Sequence, residues 1–227
     1  MKVTWLGQAG LLFERDGVTV LIDPYFSDAI GKKDPTRRRR IPILEDLFDI
    51  RPDILIFTHD HIDHYDPETA PRFLERRDKP ITVLAPLAVW PKAREHGGPH
   101  NYVLFNRHTE WTEHGMRFRA VKAEHSDPHP IGVIIEDLGT ECTYYVTGDT
   151  LYNDEIFGDI TGQIDYLFLP VNGMGNNMNM IDAARFAKRV HAGAALPIHF
   201  GMYDDLDPAA FAYENTIILK PYQTIPL

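Results

Sequence analysis

Between Thr58 and Tyr65 the chain reads His59-Asp60-His61-Ile62-Asp63-His64, directly after the apolar run Ile54-Leu55-Ile56-Phe57. Titratable side chains set against a buried strand carry a large desolvation cost unless something compensates them. A divalent cation does so, because neutral imidazole and carboxylate are its ordinary ligands. In an irregular loop His59 and His61 can turn toward one metal while Asp63 and His64 reach a second. The alternative is a solvated polar loop that caps its own backbone.

A metal loop of this kind needs partners from elsewhere, and three segments offer them. His125 lies in Glu124-His125-Ser126-Asp127, Asp149 in Thr147-Gly148-Asp149-Thr150, and His199 in Pro197-Ile198-His199-Phe200. Each follows an apolar run, and Gly148 allows close backbone approach beside Asp149. A single histidine in such a place is more often structural than ligating. With the cluster present, the shared placement makes all three candidate ligands.

Other polar residues have two readings each. Asp23 either accepts a hydrogen bond from a ligand imidazole, a common outer support for metal sites, or caps the turn before Pro24. Asp60, between two candidate ligands, is read as orienting the loop. Asn172, Asn176 and Asn177 either donate to a substrate oxyanion or cap loops beside Gly173 and Gly175, with Asn177 singled out for the first role. The basic run Arg37-Arg38-Arg39-Arg40, preceded by Lys32 and Lys33, is either a solvated loop or an anion-binding segment, with Arg38 and Arg39 as substrate contacts. His129 is close enough to His125 to join the site. The lone cysteine, Cys142, fits a small buried core residue better than a catalytic one.

The elements that position these groups can be read from periodicity. Val3 to Leu6, Leu11 to Phe13 and Val18 to Ile22 are strand-like. Glu14-Arg15-Asp16-Gly17 makes a hairpin turn between the last two and delivers Asp23 to a strand end. Ile54 to Phe57, Ile81 to Ala85, Tyr102 to Phe105, Met116 to Ala123, Ile131 to Ile135, Thr143 to Thr147, Tyr166 to Leu169 and Ala195 to Ile198 are further strands. Helices are expected over Pro67 to Arg77, with Asp66 as N-cap, over Ala88 to His96, and over Met180 to Val190. In the last, Ile181, Ala184, Phe186, Ala187 and Val190 form the apolar face. Polar residues recur at strand ends (Asp23, His59, Asp149, Asn172, His199), so they can converge on one edge of an α/β core.

The 227 residues suit one large domain, with 44% hydrophobic and 25% charged residues, as in ordinary soluble proteins. The net charge of −10 argues against a nucleic-acid binder. No apolar run approaches membrane length and the N-terminus lacks a signal layout. With one cysteine, this favours a cytoplasmic protein without a membrane partner.

The spacing His-x-His-x-Asp-His, followed by a later His, an Asp and a last His, resembles the metallo-β-lactamase superfamily. It is matched by His59, His61, Asp63, His64, His125, Asp149 and His199. Trp5-Leu6-Gly7-Gln8-Ala9-Gly10, Leu21-Ile22-Asp23-Pro24, Asn172-Gly173 and Asn176-Asn177-Met178 resemble the branch that includes L-ascorbate-6-phosphate lactonase, a considerably longer enzyme. The resemblance implies an α/β four-layer αββα sandwich spanning residues 1–227. It also implies two divalent metals, Mn2+ or Zn2+. His59, His61 and His125 would hold one, Asp63, His64 and His199 the other, and Asp149 would bridge them. Asp63 and Asp149 would be the catalytic carboxylates, and a hydroxide held between the cations the nucleophile. The implied function is hydrolysis of a small anionic molecule, a sugar-acid lactone phosphate in particular, by a protein whose self-association stays open. A phosphodiesterase and a metal-binding ligand sensor without turnover are the alternatives.

Overall fold

The computed structural model describes residues 1–227. In chain order the strands are β1 (Lys2–Trp5), β2 (Leu11–Arg15), β3 (Val18–Ile22), β4 (Ile54–Ile56), β5 (Thr82–Ala85), β6 (Asn101–Leu104) and β7 (Glu110–Glu113). There follow β8 (Met116–Lys122), β9 (Ile131–Asp137), β10 (Thr143–Val146), β11 (Tyr166–Pro170), β12 (Ala194–Ile198) and β13 (Thr224–Pro226). They form two mixed sheets, ordered β13-β1-β2-β3-β4-β5-β6 and β12-β11-β10-β9-β8-β7. The hairpin expected between β2 and β3 is present. Arg15 pairs with Val18 across a two-residue turn in which Asp16 and Gly17 both have positive φ, the pattern that matches strand twist.

Period-2 alternation assigns each face of the first sheet. Val20, Ile22, Ile54, Ile56 and Leu84 point inward to a core of 43 buried residues shared with the second sheet, where Phe13 meets Tyr144 and Phe168 edge-on at 5.9 and 5.5 Å. Leu21, Leu55, Val83 and Ala85 alternate to the other face and pack against two short helices, α2 (Ala70–Leu74) and α3 (Trp90–Glu95). The longest helix, α4 (Met180–Arg189), presses Phe186 against Tyr145 of the second sheet. Helix, sheet, sheet, helix is the expected four-layer sandwich.

The differences from the periodicity reading are local. The helix expected over Pro67 to Arg77 is reduced to α2, because residues 66–69 fold as turns around the Asp66 carboxylate. That carboxylate accepts from Glu68 N and from the Ser27 and Thr69 hydroxyls. Ile181 is 74% exposed rather than on the apolar face of α4, since Asn179 caps the helix through Ile181 N and Asp182 N and turns the first residues outward. Cys142 is half-buried rather than buried. A short helix α1 (Ala29–Lys33) and the strands β7 and β13 were not anticipated. No helix is long and apolar enough to cross a membrane.

Candidate metal centre

Strand direction explains why the polar residues meet. β3 and β4 are parallel, as are β10, β11 and β12, while β8 runs with β10 because two antiparallel steps separate them. Asp23, His59, Asp149, Asn172 and His199 therefore follow the C-terminal ends of parallel strands, and His125 follows β8 on the same edge. Gly148, two residues past the end of β10, lets the chain turn there. Its φ is +62°, and a Cβ would lie 2.7 Å from Ile131 O and 3.1 Å from Thr58 Cβ. Gln8, Asp23 and His199 also adopt left-handed φ of 51°, 43° and 60°. Such backbone is costly for a side-chain-bearing residue and concentrates at functional sites.

The structure brings together all seven residues of the expected ligand set. Donor atoms of three groups lie within 4.8 Å of one another: His59, His61 and His125; His59, His64 and Asp149; and Asp63, His64 and His199. The supporting contacts orient the rings. Asp23 Oδ2 accepts from His64 Nδ1 at 2.8 Å and from the Thr58 hydroxyl at 2.5 Å, and Asp23 Oδ1 accepts from Thr58 N at 2.8 Å. The Thr58 oxygen lies 3.1 Å from His59 Nδ1, so with its proton on Asp23 it accepts from that ring. His125 Nδ1 donates to Asn176 O at 3.1 Å. In each of these three histidines the outer nitrogen is engaged and Nε2 faces inward, as metal-ligating imidazoles require.

The inward atoms decide whether a cation fits. His59 Nε2 and His64 Nε2 are buried with no hydrogen-bond partner. The nearest carboxylate oxygen to His64 Nε2 is Asp149 Oδ1 at 3.3 Å, an ion-pair contact rather than a formed hydrogen bond. His125 Nε2 and His61 Nδ1 face each other at 3.0 Å. Buried polar atoms are normally satisfied; His59 Nε2 offers an inward lone pair that a divalent ion would complete, and His64 Nε2 offers one once its proton is released. The donor set fits divalent cations.

Charge in the metal-free protein follows the same pattern. Burial holds His59 and His125 below the usual imidazole range, leaving them neutral. Burial also works against protonation of His64, yet Asp149 and Asp23 outweigh it and raise its pKa well above normal. His199 is likewise disfavoured by burial but lifted to about 9 by Asp149 and Asp63. Against their own burial, Asp149 is held low by His199 and His64, and Asp63 by the same two imidazoles. Two imidazolium charges thus stand among the carboxylates where cations would otherwise sit.

Around the cluster opens a cavity of about 480 Å³ reached by Gln8, Asp63, Asp149, His199, Arg37 and Lys33 among others. Asp60 lines it and acts through its surroundings, its carboxylate paired with Lys92 and its backbone N donating to Asp127 Oδ2 at 2.8 Å. Two expected substrate contacts are displaced. Arg38 pairs with Asp28 at 3.3 Å, and the Arg39 guanidinium donates to the carbonyls of Ile41, Tyr25 and Ser27; neither lines the cavity, whereas Arg37 does. Asn177 lines the cavity, and its Nδ2 donates to Asp149 Oδ2 at 2.8 Å, so its amide also steadies a carboxylate. His129 lies outside the cluster, its N bonded to Asp127.

The sequence reading assigned no role to Gln8 or Asp127 and gave Asn172 a different one. Gln8 Nε2 donates to Asp63 Oδ2 at 2.7 Å and lies 3.1 Å from His199 Nε2, and Asn172 Nδ2 is 3.0 Å from His199 Nδ1. For Gln8 the signal was the Trp5-Leu6-Gly7-Gln8-Ala9-Gly10 segment that runs on from the end of β1.

A family model described as beta-lactamase superfamily domain matches residues 18–200, a span that contains all seven clustered residues. The chain belongs to this superfamily. The superfamily member is 29% identical over 244 residues to a metal-dependent hydrolase of Exiguobacterium, with the whole of both chains covered (100% and 100%). It is 26% identical over 229 residues to the N-acyl-phosphatidylethanolamine-hydrolyzing phospholipase D 1 of Caenorhabditis elegans, covering 88% of this chain and 64% of that one. The crystal structure of an isothiocyanate hydrolase from Delia radicum gut bacteria superposes with a TM-score of 0.78 at 19% identity, over 100% of this chain and 99% of that one. That likeness is one of fold, the metallo-β-lactamase fold.

Proposed function

We propose that the protein is a metal-dependent hydrolase whose substrate is a small anionic ester, with a phosphorylated sugar-acid lactone as the leading class. The observation that carries the reading is the pair of buried, partnerless Nε2 atoms on His59 and His64 facing Asp149 at the head of an open cavity. Membership of a superfamily whose relatives include named metal-dependent hydrolases supports it.

His59, His61 and His125 would hold one cation, Asp63, His64 and His199 the second, and Asp149 would bridge them. Two divalent ions supply Lewis acidity and a lowered pKa for water. The chain's own residues set the geometry. Asp23 and Thr58 fix the His64 and His59 rings, and Asn177 fixes the Asp149 carboxylate, leaving its oxygens directed inward. Gln8 holds Asp63 from the cavity side, where its amide N–H can also reach a substrate oxygen. A cavity near 480 Å³ lies in the range for small ligands.

A phosphodiester substrate is the second reading, favoured by the similarity to a phospholipase D over 88% of the chain. Turnover of a phosphorylated lactone set against a phosphodiester series, after zinc or manganese loading, separates the two. In the same assay Asp149→Asn keeps the shape and removes the charge, and kcat is expected to fall at least about 100-fold while substrate affinity changes less. Metal content must be measured on the same sample. Tight ligand binding by the fully loaded wild type with no turnover of either class would make the protein a sensor instead.

A further inference from the structure

Six cations lie between residues 32 and 40, and they divide cleanly. Lys32 pairs with Glu68 at 2.6 Å, Arg38 with Asp28 at 3.3 Å, and Arg40 with Asp205; Arg39 is spent on backbone carbonyls. Lys33 and Arg37 are the two whose side chains make neither an ion pair nor a hydrogen bond, and they are also the two that line the cavity of the metal centre. The neighbouring Asp34 forms no ion pair with either, its carboxyl being held below the usual range by its bonds to Thr36 and more weakly by the Arg37 charge. Asp34 accepts from Thr36 N and Thr36 Oγ1 at 3.0 and 2.6 Å and from neither cation. On the far side, Asp204 accepts from Gly201 N and Leu206 N.

The backbone carrying these cations is braced. Asp28 Oδ1 accepts from Arg39 N at 3.0 Å, closing the segment from α1 through the 3-10 turn Pro35–Arg37 into a loop. Gly31 makes that closure fit, since a Cβ there would sit 2.4 Å from Asp28 Oδ1. Arg37 is further placed by the ring of Tyr203, 5.7 Å from its guanidinium carbon, and the Tyr203 hydroxyl is anchored on Tyr25 Oη at 2.9 Å. Two unpaired positive charges on a braced loop, inside a protein of net charge −10, face a cavity whose other pole is the proposed metal pair.

We propose that Lys33 and Arg37 form an anion subsite that takes a phosphate monoester on the substrate, separate from the group being hydrolysed. The two charges match a phosphate dianion, and the fork of Arg37 suits its oxygens. This rests on the hydrolase reading and narrows it. A phosphodiester offers one phosphate, which would be needed at the metals, whereas a phosphorylated lactone offers a reacting carbonyl and a remote phosphate. The subsite therefore favours a substrate with two distinct poles.

The test is calorimetric binding of 6-phosphogluconate and gluconate to the zinc-loaded protein. Both probes present the same carboxylate and C2 to C5 hydroxyls, and they differ only at C6, a hydroxyl in one and a phosphate monoester in the other. Two solvent-exposed ion contacts, from Lys33 and Arg37, predict up to about 10-fold tighter binding of the phosphorylated probe, a preference that shrinks as salt rises. Lys33→Gln with Arg37→Gln should abolish the preference at unchanged zinc content, while Lys32→Gln with Arg40→Gln should keep it. Equal binding of the probes to wild type, absence of binding by either, survival of the preference in the first variant, or an equal loss in the second would overturn the subsite. Turnover plays no part in this readout. Retained preference with no hydrolysis of any ester would remove the hydrolase reading and leave the subsite standing.

Discussion

His64 and His199 carry protons in the metal-free site because Asp23, Asp63 and Asp149 hold them there against the cost of burial. Those protons compete with metal. A pKa raised to about 9 on His199 means the ring is protonated below that value and must release its proton for Nε2 to bind a cation. Metal affinity should therefore rise with pH up to about 9 and fall progressively below it, with proton release on loading at neutral pH. Titration of zinc in matched buffers of different ionisation enthalpy checks both; a pH-independent affinity would contradict the assignment. At this scale the sequence was most informative about residue types. All seven clustered side chains were legible, because titratable groups beside apolar runs have few other physical explanations. Gln8 and Asn172 were not assigned their contacts, since a neutral amide carries no comparable desolvation signal. Which of the arginines would line the cavity was not legible, because four successive arginines look equivalent until the Asp28 and carbonyl contacts commit Arg38 and Arg39.

The elements serve the site through how they stop. β10 ends at Val146, and two residues on, at Gly148, positive φ and close approach to Ile131 O and Thr58 exclude any side chain. Gly148→Ala should destabilise the fold by about 2 kcal/mol or more and displace Asp149, the next residue. Thermal unfolding with and without zinc reads both effects. A wild-type melting temperature with full metal binding would show that the close approach matters little. Strands with a continuous apolar signal, such as β4 and β11, were visible in the sequence to within a residue or two. α2 was overextended because Asp66, read as a helix cap, holds a turn with Ser27 and Thr69 instead. The edge strand β7, with half-buried Trp111 between exposed Glu110 and Thr112, and the terminal β13 take their structure from pairing partners far along the chain, which local periodicity does not record.

At the scale of the molecule, two sheets share one core and present their parallel strand ends to the same edge, so seven donors scattered between residues 59 and 199 meet without a dedicated scaffold. Of the six cations between residues 32 and 40, the two with neither an ion pair nor a side-chain hydrogen bond, Lys33 and Arg37, line the cavity that also holds the cluster. The most direct test of this account is the metal content of the purified protein after dialysis against zinc or manganese, measured by elemental analysis alongside the His61→Ala, Asp149→Ala double variant. The account predicts about two equivalents per chain in the wild type, held through buffer exchange by ligands of this type, and loss of high-affinity binding in the variant with the fold retained. A wild-type protein that holds no metal after reconstitution, or a variant that binds as tightly as the wild type, would contradict it.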